Sequence, residues 1–435
     1  MEKNNFRKIA TITLFESAVQ WYCFLLYGTA AGTVFHKVFF SQTGNGTTAL
    51  ILSYMSFAIG YIAGPFGAIF FGHIGDRKGR KVTMYASLLM MGISTSIIGI
   101  LPPAASAGVG VVIVLQLMRL AQCFGRGGTW GGGILMAYEN VPENKRSFYA
   151  AIPQIGLPIG FGLSSILIAV PTLLLPEDIF FTWGWRIPFL AAIILTVIVI
   201  RQKGEMMETE DYKKAQAKLE AEEAEGKKHK VGFIPMVKGY WKTLLLGCGT
   251  RWVDGTFYNI FIVWILSYCS NWLGMPLIQT YIITIIACIF KIPFTLFGGW
   301  CAQKLGNTRT FVIGALASAV LSIPTLKVIE LSKGNLAITI IGIVLGWSIA
   351  YNLIWAVISS LWSSYFETEV RYSGISFVYH VPSFLVAGMV PTICTLLINY
   401  GKGDTIYVGI YSTVVALISA ACALALKARH DRGEK

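Results

Sequence analysis

Two arginines seven residues apart, Arg119 and Arg126, are the strongest chemical feature of this 435-residue sequence. With Cys123 and Trp130 they recur at spacings of 4, 3 and 4, which on a helix of 3.6 residues per turn is a single face. At a rise of 1.5 Å per residue the two guanidiniums stand roughly 10 Å apart along the axis. Each offers a planar fork of donors that matches a carboxylate or a phosphate. The alternative for Arg119 is a permanent pairing with an acid on another helix, a role in the fold alone.

A second stripe, Glu16, Gln20, Cys23 and Tyr27, repeats the 4, 3, 4 spacing. Its carboxylate is either a proton carrier or a group at the water interface paired with Arg7 or Lys8. Arg251 and Asp254, three residues apart, can pair with each other. Asp254 then carries a proton when Arg251 swings away, or remains in a static ion pair. Lys291 and His380 fall near the middle of their apolar segments. Imidazole titrates near physiological pH and suits coupling, while a hydrogen bond to a neighbouring helix is the plainer use. Tyr258 and Trp355 join Trp21, Tyr22, Tyr351 and Tyr379 as aromatic candidates for lining a binding cavity.

The elements that carry these groups follow from composition. Hydrophobic residues make up 55% of the chain and charged residues only 13%, more apolar surface than a soluble domain of this length can bury. Twelve apolar stretches of about 20 residues, each long enough to span a bilayer, fall near 10–35, 48–72, 82–102, 110–138, 147–170, 180–200, 244–270, 277–300, 310–329, 336–362, 373–399 and 405–426. In lipid, backbone polar groups are satisfied within a helix. The expected fold is therefore an all-α membrane protein of twelve transmembrane helices in two six-helix bundles.

The net charge of +13 does not point to nucleic acid, because its placement is topological. With the N-terminus set in the cytoplasm, 26 of the 35 Lys and Arg residues fall on the inner side and only Lys37, Lys327, Lys333 and Lys402 outside. Nine polar residues run straight into the first span with no cleavage site, so that span is expected to stay. The eight cysteines sit in apolar segments without metal-type spacing and read as packing residues. No nucleophile–base set, phosphate loop or metal cluster appears, so neither an enzyme nor a cofactor is expected.

The domain division expected is 1–200 for the first bundle, 201–243 for a Glu-, Lys- and Ala-rich cytoplasmic connector, and 244–435 for the second bundle with a short tail. The halves echo each other. FGHIGDRKGRK after span two and GWCAQKLGNTR after span eight occupy equivalent places, with Asp76 facing Gln303 and Gly79 facing Gly306 at an offset of 227. A parallel repeat of six helices with the ligand at midplane between bundles is a transporter architecture.

At GHIGDRKGRK the chain resembles the major facilitator superfamily, whose signature G-x-x-x-D-R-x-G-R-K/R is met by Gly72, Asp76, Arg77, Gly79 and Arg80. The resemblance implies a conformational latch there, completed by Glu139 and Arg146. WYxFLLYG (21–28), QxFxxGGxWGG (122–132), NKRSFYA after Glu139, WGWRIPFL (183–190) and RYSG (371–374) narrow it to the metabolite:proton symporter branch and its shikimate-carrying members.

Departures from that pattern mark this chain. Gln20, Cys23 and Thr129 stand where relatives hold acids, and Gly64 stands where they hold an arginine before Pro65. Glu16, Arg126 and His380 are charges or titratable groups gained. An ionisable group inside a bilayer costs at least about 2.5–3.5 kcal/mol, so each needs a partner or a hydrated cavity. The resemblance implies a small anionic or zwitterionic organic metabolite as cargo, moved by alternating access in a monomer of the cell membrane with both termini cytoplasmic. Candidate ligand-binding residues are Gln20, Cys23, Tyr27, Arg119, Arg126, Trp130, Tyr258, Trp355 and His380, and candidate proton-coupling residues are Glu16, Asp254 and His380. Symport with protons is the first reading. A uniporter, an anion exchanger or a sensor without transport are the alternatives.

Overall fold

The computed structural model describes residues 3–42, 45–78, 80–139, 146–202, 233–367 and 370–434; at 3–10, 12, 72, 73, 75–78, 80, 81, 129–139, 202, 233–236 and 372 it describes the backbone alone. Among the described residues every regular element is helical. The first half holds α1 (Lys3–Thr33), α2 (Gly46–Lys78), α3 (Arg80–Ile100), α4 (Val109–Glu139), α5 (Arg146–Leu174) and α6 (Glu177–Arg201). The second half begins with α7, which runs from Phe233–Asn259 through a wide turn at Ile260–Trp264 into Ile265–Asn271. It continues with α8 (Leu277–Leu305), α9 (Asn307–Leu331) and α10 (Leu336–Tyr365). After these come α11, broken into Arg371–His380, Phe384–Gly388 and Val390–Tyr400, and α12 (Ile406–Asp431).

Nine of these helices are long and apolar enough to cross a membrane among the described residues. The three that fall short, α1, α7 and α11, are those carrying Glu16 and Gln20, Arg251 and Asp254, and His380. Each lies within its half and also against the other half. α11 falls short because it is broken into short pieces, and the polar groups of all three are buried inside protein.

Small residues let the helices of each bundle approach. A Cβ at Gly127 of α4 would stand 2.4 Å from the Ala68 nitrogen of α2, and one at Gly255 of α7 would stand 2.3 Å from the Val386 carbonyl of α11. Only glycine fits at such backbone contacts. Between the bundles α5 packs on α8, α1 on α7 and α2 on α11. Wide turns of the π type interrupt α7, α10 (Val344–Ala350) and α11 (Phe384–Gly388). The last follows Pro382, which has no N–H to give the helix.

The seam between the bundles is bridged at both ends. At the end distant from the chain termini, Tyr54 donates to Ser267 at 2.7 Å and Tyr281 to Thr33 at 3.1 Å. At the other end Ser147 donates to the Asn307 side-chain oxygen at 2.9 Å.

Candidate functional site

Halfway along the seam, α1, α2 and α4 of the first bundle meet α7, α10 and α11 of the second in a layer of aromatic rings and buried cations. Arg126 on α4 donates to the hydroxyl of Tyr379 on α11. Its guanidinium lies 3.8 Å from the Phe24 ring centre and 4.7 Å from that of Trp21. On the other side of Tyr379, the Arg251 guanidinium sits 4.4 Å from the same ring. Arg251 is ion-paired with Asp254 one turn on, and the second Asp254 oxygen accepts the hydroxyl of Tyr351. Both members of the pair are 2% exposed. Charge inside hydrocarbon survives through such partners.

The aromatic wall continues around this core. Trp21 stands edge-on to Trp355, ring centres 5.5 Å apart, and 5.7 Å from Tyr258. Trp355 donates its indole N–H to the Gln154 carbonyl at 3.0 Å, and the Gln154 side chain donates back to the Trp355 carbonyl at 3.3 Å. These two bonds join α10 to α5 across the seam. Among the described residues, the hydroxyls of Tyr61 and Tyr258 and the N–H groups of Trp21 and Gln20 are buried without a hydrogen-bond partner. Buried polar groups are rarely left so. The layer is rich in donors aimed at no acceptor, an arrangement that suits an acceptor-rich, anionic guest.

Residues 22–389 match the Major Facilitator Superfamily. Over 98% of its length the chain is 33% identical to an inner membrane metabolite transport protein of Escherichia coli K12, YhjE, and covers 96% of that protein. The chain belongs to the major facilitator superfamily. It is also 31% identical to the shikimate transporter of the same organism, over 97% of this chain and 94% of that one. Its fold is similar to that of the xylose transporter XylE from E. coli in a partially occluded, inward-open conformation, with a TM-score of 0.74 at 14% identity and 97% of each chain covered. The protein is a multi-pass membrane transporter and not an enzyme.

In this transporter Arg126, Trp355 and Tyr258, expected from the sequence as ligand-binding residues, come together in one layer. Arg119 shares the Phe24 ring with Arg126, at 4.5 Å, and is boxed further by Tyr27 at 4.4 Å and Phe57 at 4.6 Å. The acid on another helix considered for it is not there among the described residues. Its hydrogen bonds go to the side chain of Gln122 and, at 3.5 Å, to the Phe24 carbonyl. Gln122 in turn holds the Cys23 carbonyl at 2.8 Å and Thr95 at 2.7 Å, so Arg119 and Cys23 belong to the interior of the first bundle. Tyr27 is bonded to Ser56. Glu16 is buried on α1, one turn before Gln20. The side chains of Trp130, Asp76, Arg77, Arg80 and Glu139, and the whole of Gly79, lie outside the described residues; Gly72 is described by its backbone in α2, and Arg146 at the start of α5.

His380 and Gly64 read in the sequence as separate departures from the family pattern. The structure makes them one. A Cβ on Gly64 of α2 would stand 2.8 Å from His380 Nδ1 of α11, so the imidazole fills the space that a side chain at position 64 would need. Gln154, Tyr61 and Asn352 went unnoticed in the sequence. A buried amide inside an apolar span was the signal for Gln154 and Asn352, since lipid tolerates neither without a partner.

Proposed function

We propose that this transporter moves a small organic acid of the shikimate type, or a similarly polar metabolite, by alternating access coupled to protons. The observation that supports it most is Arg126, a charge foreign to the family pattern, held by Tyr379 on the opposite bundle within a donor-rich aromatic layer. A carboxylate arriving there finds a guanidinium and the unfilled donors of Trp21, Tyr61 and Tyr258. It also competes for the bond that ties α4 to α11, which links occupancy to movement of one bundle against the other. The names of two relatives, an inner membrane metabolite transporter and a shikimate transporter, agree with this reading. So does the basic bias of the segments that share a side with the termini, for a cell-membrane protein with both ends in the cytoplasm. In this proposal residues 72–80 with Glu139 and Arg146 form the latch, and 201–243 connect the bundles.

For the proton, Glu16, Asp254 and His380 are the buried titratable candidates. The full engagement of Asp254, one oxygen to Arg251 and the other to Tyr351, favours a second reading in which the anion moves without a proton, by uniport or exchange. Purified protein in liposomes with labelled shikimate and related carboxylates separates them. Accumulation that follows an imposed pH gradient and collapses when the gradient is dissipated supports symport. Uptake that depends only on anion loaded inside supports exchange, and no flux of any carboxylate refutes the substrate class.

A further inference from the structure

Lys291 on α8 is completely buried, and among the described residues the hydrogen bond and ring contacts of its ammonium are all with neutral groups. It donates to the side-chain oxygen of Asn352 at 2.9 Å, an oxygen that also accepts Thr295 at 3.1 Å. The ammonium stands 4.4 Å from the ring centre of Tyr351 and 4.7 Å from that of Trp347. Asn352 is itself fixed by donating to the Lys291 carbonyl at 2.8 Å. Of three ammonium hydrogens this leaves two facing rings. The indole N–H of the neighbouring Trp347 is also buried without a hydrogen-bond partner among the described residues. The nearest acid in this network, Asp254, has its charge matched by Arg251 and its second oxygen taken by Tyr351.

The position of Lys291 is at the seam. Trp347 meets Phe161 of the first bundle edge-on at 6.0 Å, and Cys288, one turn before Lys291, packs against Gly162 of α5. A continuous path leads from there to Arg126: Lys291 on the Tyr351 ring, Tyr351 to Asp254, Asp254 to Arg251, Arg251 on the Tyr379 ring, and Tyr379 to Arg126. A buried cation with only neutral partners is costly, and an anionic group on a guest relieves that cost. Resting on the reading of this layer as an organic-anion site, we propose that Lys291 is a second anion anchor, so that the transporter selects metabolites bearing two acidic groups over those bearing one. The first acidic group meets Arg126 and the second meets Lys291 with the free Trp347 N–H.

Binding of matched probes to the purified full-length protein tests this: glutarate against its half-amide, and cyclohexane-1,3-dicarboxylate against its half-amide. The pairs differ by one charge at nearly constant size. The expected result is a preference of about tenfold or more for a diacid over its half-amide, the worth of one charge-assisted contact. Lys291→Met erases the preference, leaving half-amide binding within about twofold, and Lys291→Arg keeps it. Asn352→Asp, which supplies an internal anion beside the ammonium, also erases it and serves where Lys291→Met fails to fold. Half-amides and shikimate that bind through Arg126 with no diacid preference overturn this inference and leave the organic-anion reading standing. Binding of none of the probes and no shikimate overturns both.

Discussion

Replacing Gly64 with alanine drives a methyl group into the imidazole of His380. The new carbon would lie 2.8 Å from Nδ1, and the next two atoms it meets, at 3.6 and 3.7 Å, belong to the same ring. Atoms of this kind rest about 3.5–4.0 Å apart. The ring cannot yield as the tip of a long side chain would, because it is buried, turns on two torsions and has the Tyr379 ring 5.0 Å away. Overpacking of this sort costs about 1–3 kcal/mol, which raises the unfolded fraction by roughly 5- to 150-fold. Since the three nearest atoms all belong to His380, the penalty falls chiefly on that contact. A double-mutant cycle isolates it: Gly64→Ala is destabilising in the parent and near neutral in a His380→Ala background, with a coupling of about 1–3 kcal/mol. The assay is equilibrium unfolding in detergent micelles followed by helical circular dichroism. An equal loss in both backgrounds refutes the reasoning, because the methyl group then meets something other than the imidazole.

Other perturbations follow from the same layer and from the loop beyond it. Asp254→Asn strands Arg251 in the interior and should cost about 3–5 kcal/mol of stability, with most of it recovered by adding Arg251→Met; equal stability of the single and double variants contradicts the pairing. Trp355→Phe keeps the ring against Trp21 but removes the donor to Gln154, with an expected loss of about 1 kcal/mol in the same unfolding assay; no loss means that this bond across the seam contributes nothing. Asp404, in the loop after α11, is held below the usual carboxylate range by Lys327 at 2.7 Å and by the Ile406 amide. A carboxyl lowered in the folded state adds stability above its unfolded value, near 3.9, and loses it as pH falls through the folded one. Asp404→Asn should therefore lower the melting temperature at pH 7, with the difference from the parent shrinking once the pH falls below both values; a difference that persists there contradicts it.

The fold was legible because lipid enforces it. Apolar runs of helix length admit one backbone solution. Hydropathy is low in α1 and α7 and α11 is broken into short pieces, and these departures are informative, since a span carrying Glu16, Arg251, Asp254 or His380 is kept from lipid by its neighbours. Helical spacing also put Arg251 beside Asp254, a pairing local to one helix. Contacts between helices were beyond reach. Spacing alone could not tell that Arg126 reaches Tyr379 some 250 positions on while Arg119, on the same stripe, turns back to Gln122. Nor could it join Gly64 to His380, because one glycine and one histidine reveal complementarity only when α2 and α11 are seen in contact. The latch of residues 72–80 was the clearest motif of all, and its charged side chains and Gly79 lie outside the described residues.

The most direct measurement is uptake of labelled shikimate and related carboxylates into proteoliposomes holding equal amounts of the parent protein and of Arg126→Gln. Removal of a guanidinium that binds the carboxylate should lower the apparent affinity by about 10- to 150-fold, the worth of a charge-assisted hydrogen bond at roughly 1.5–3 kcal/mol, with the variant still folded. Unchanged uptake by Arg126→Gln would contradict the account, because the basic layer between the bundles would then have no part in holding the cargo.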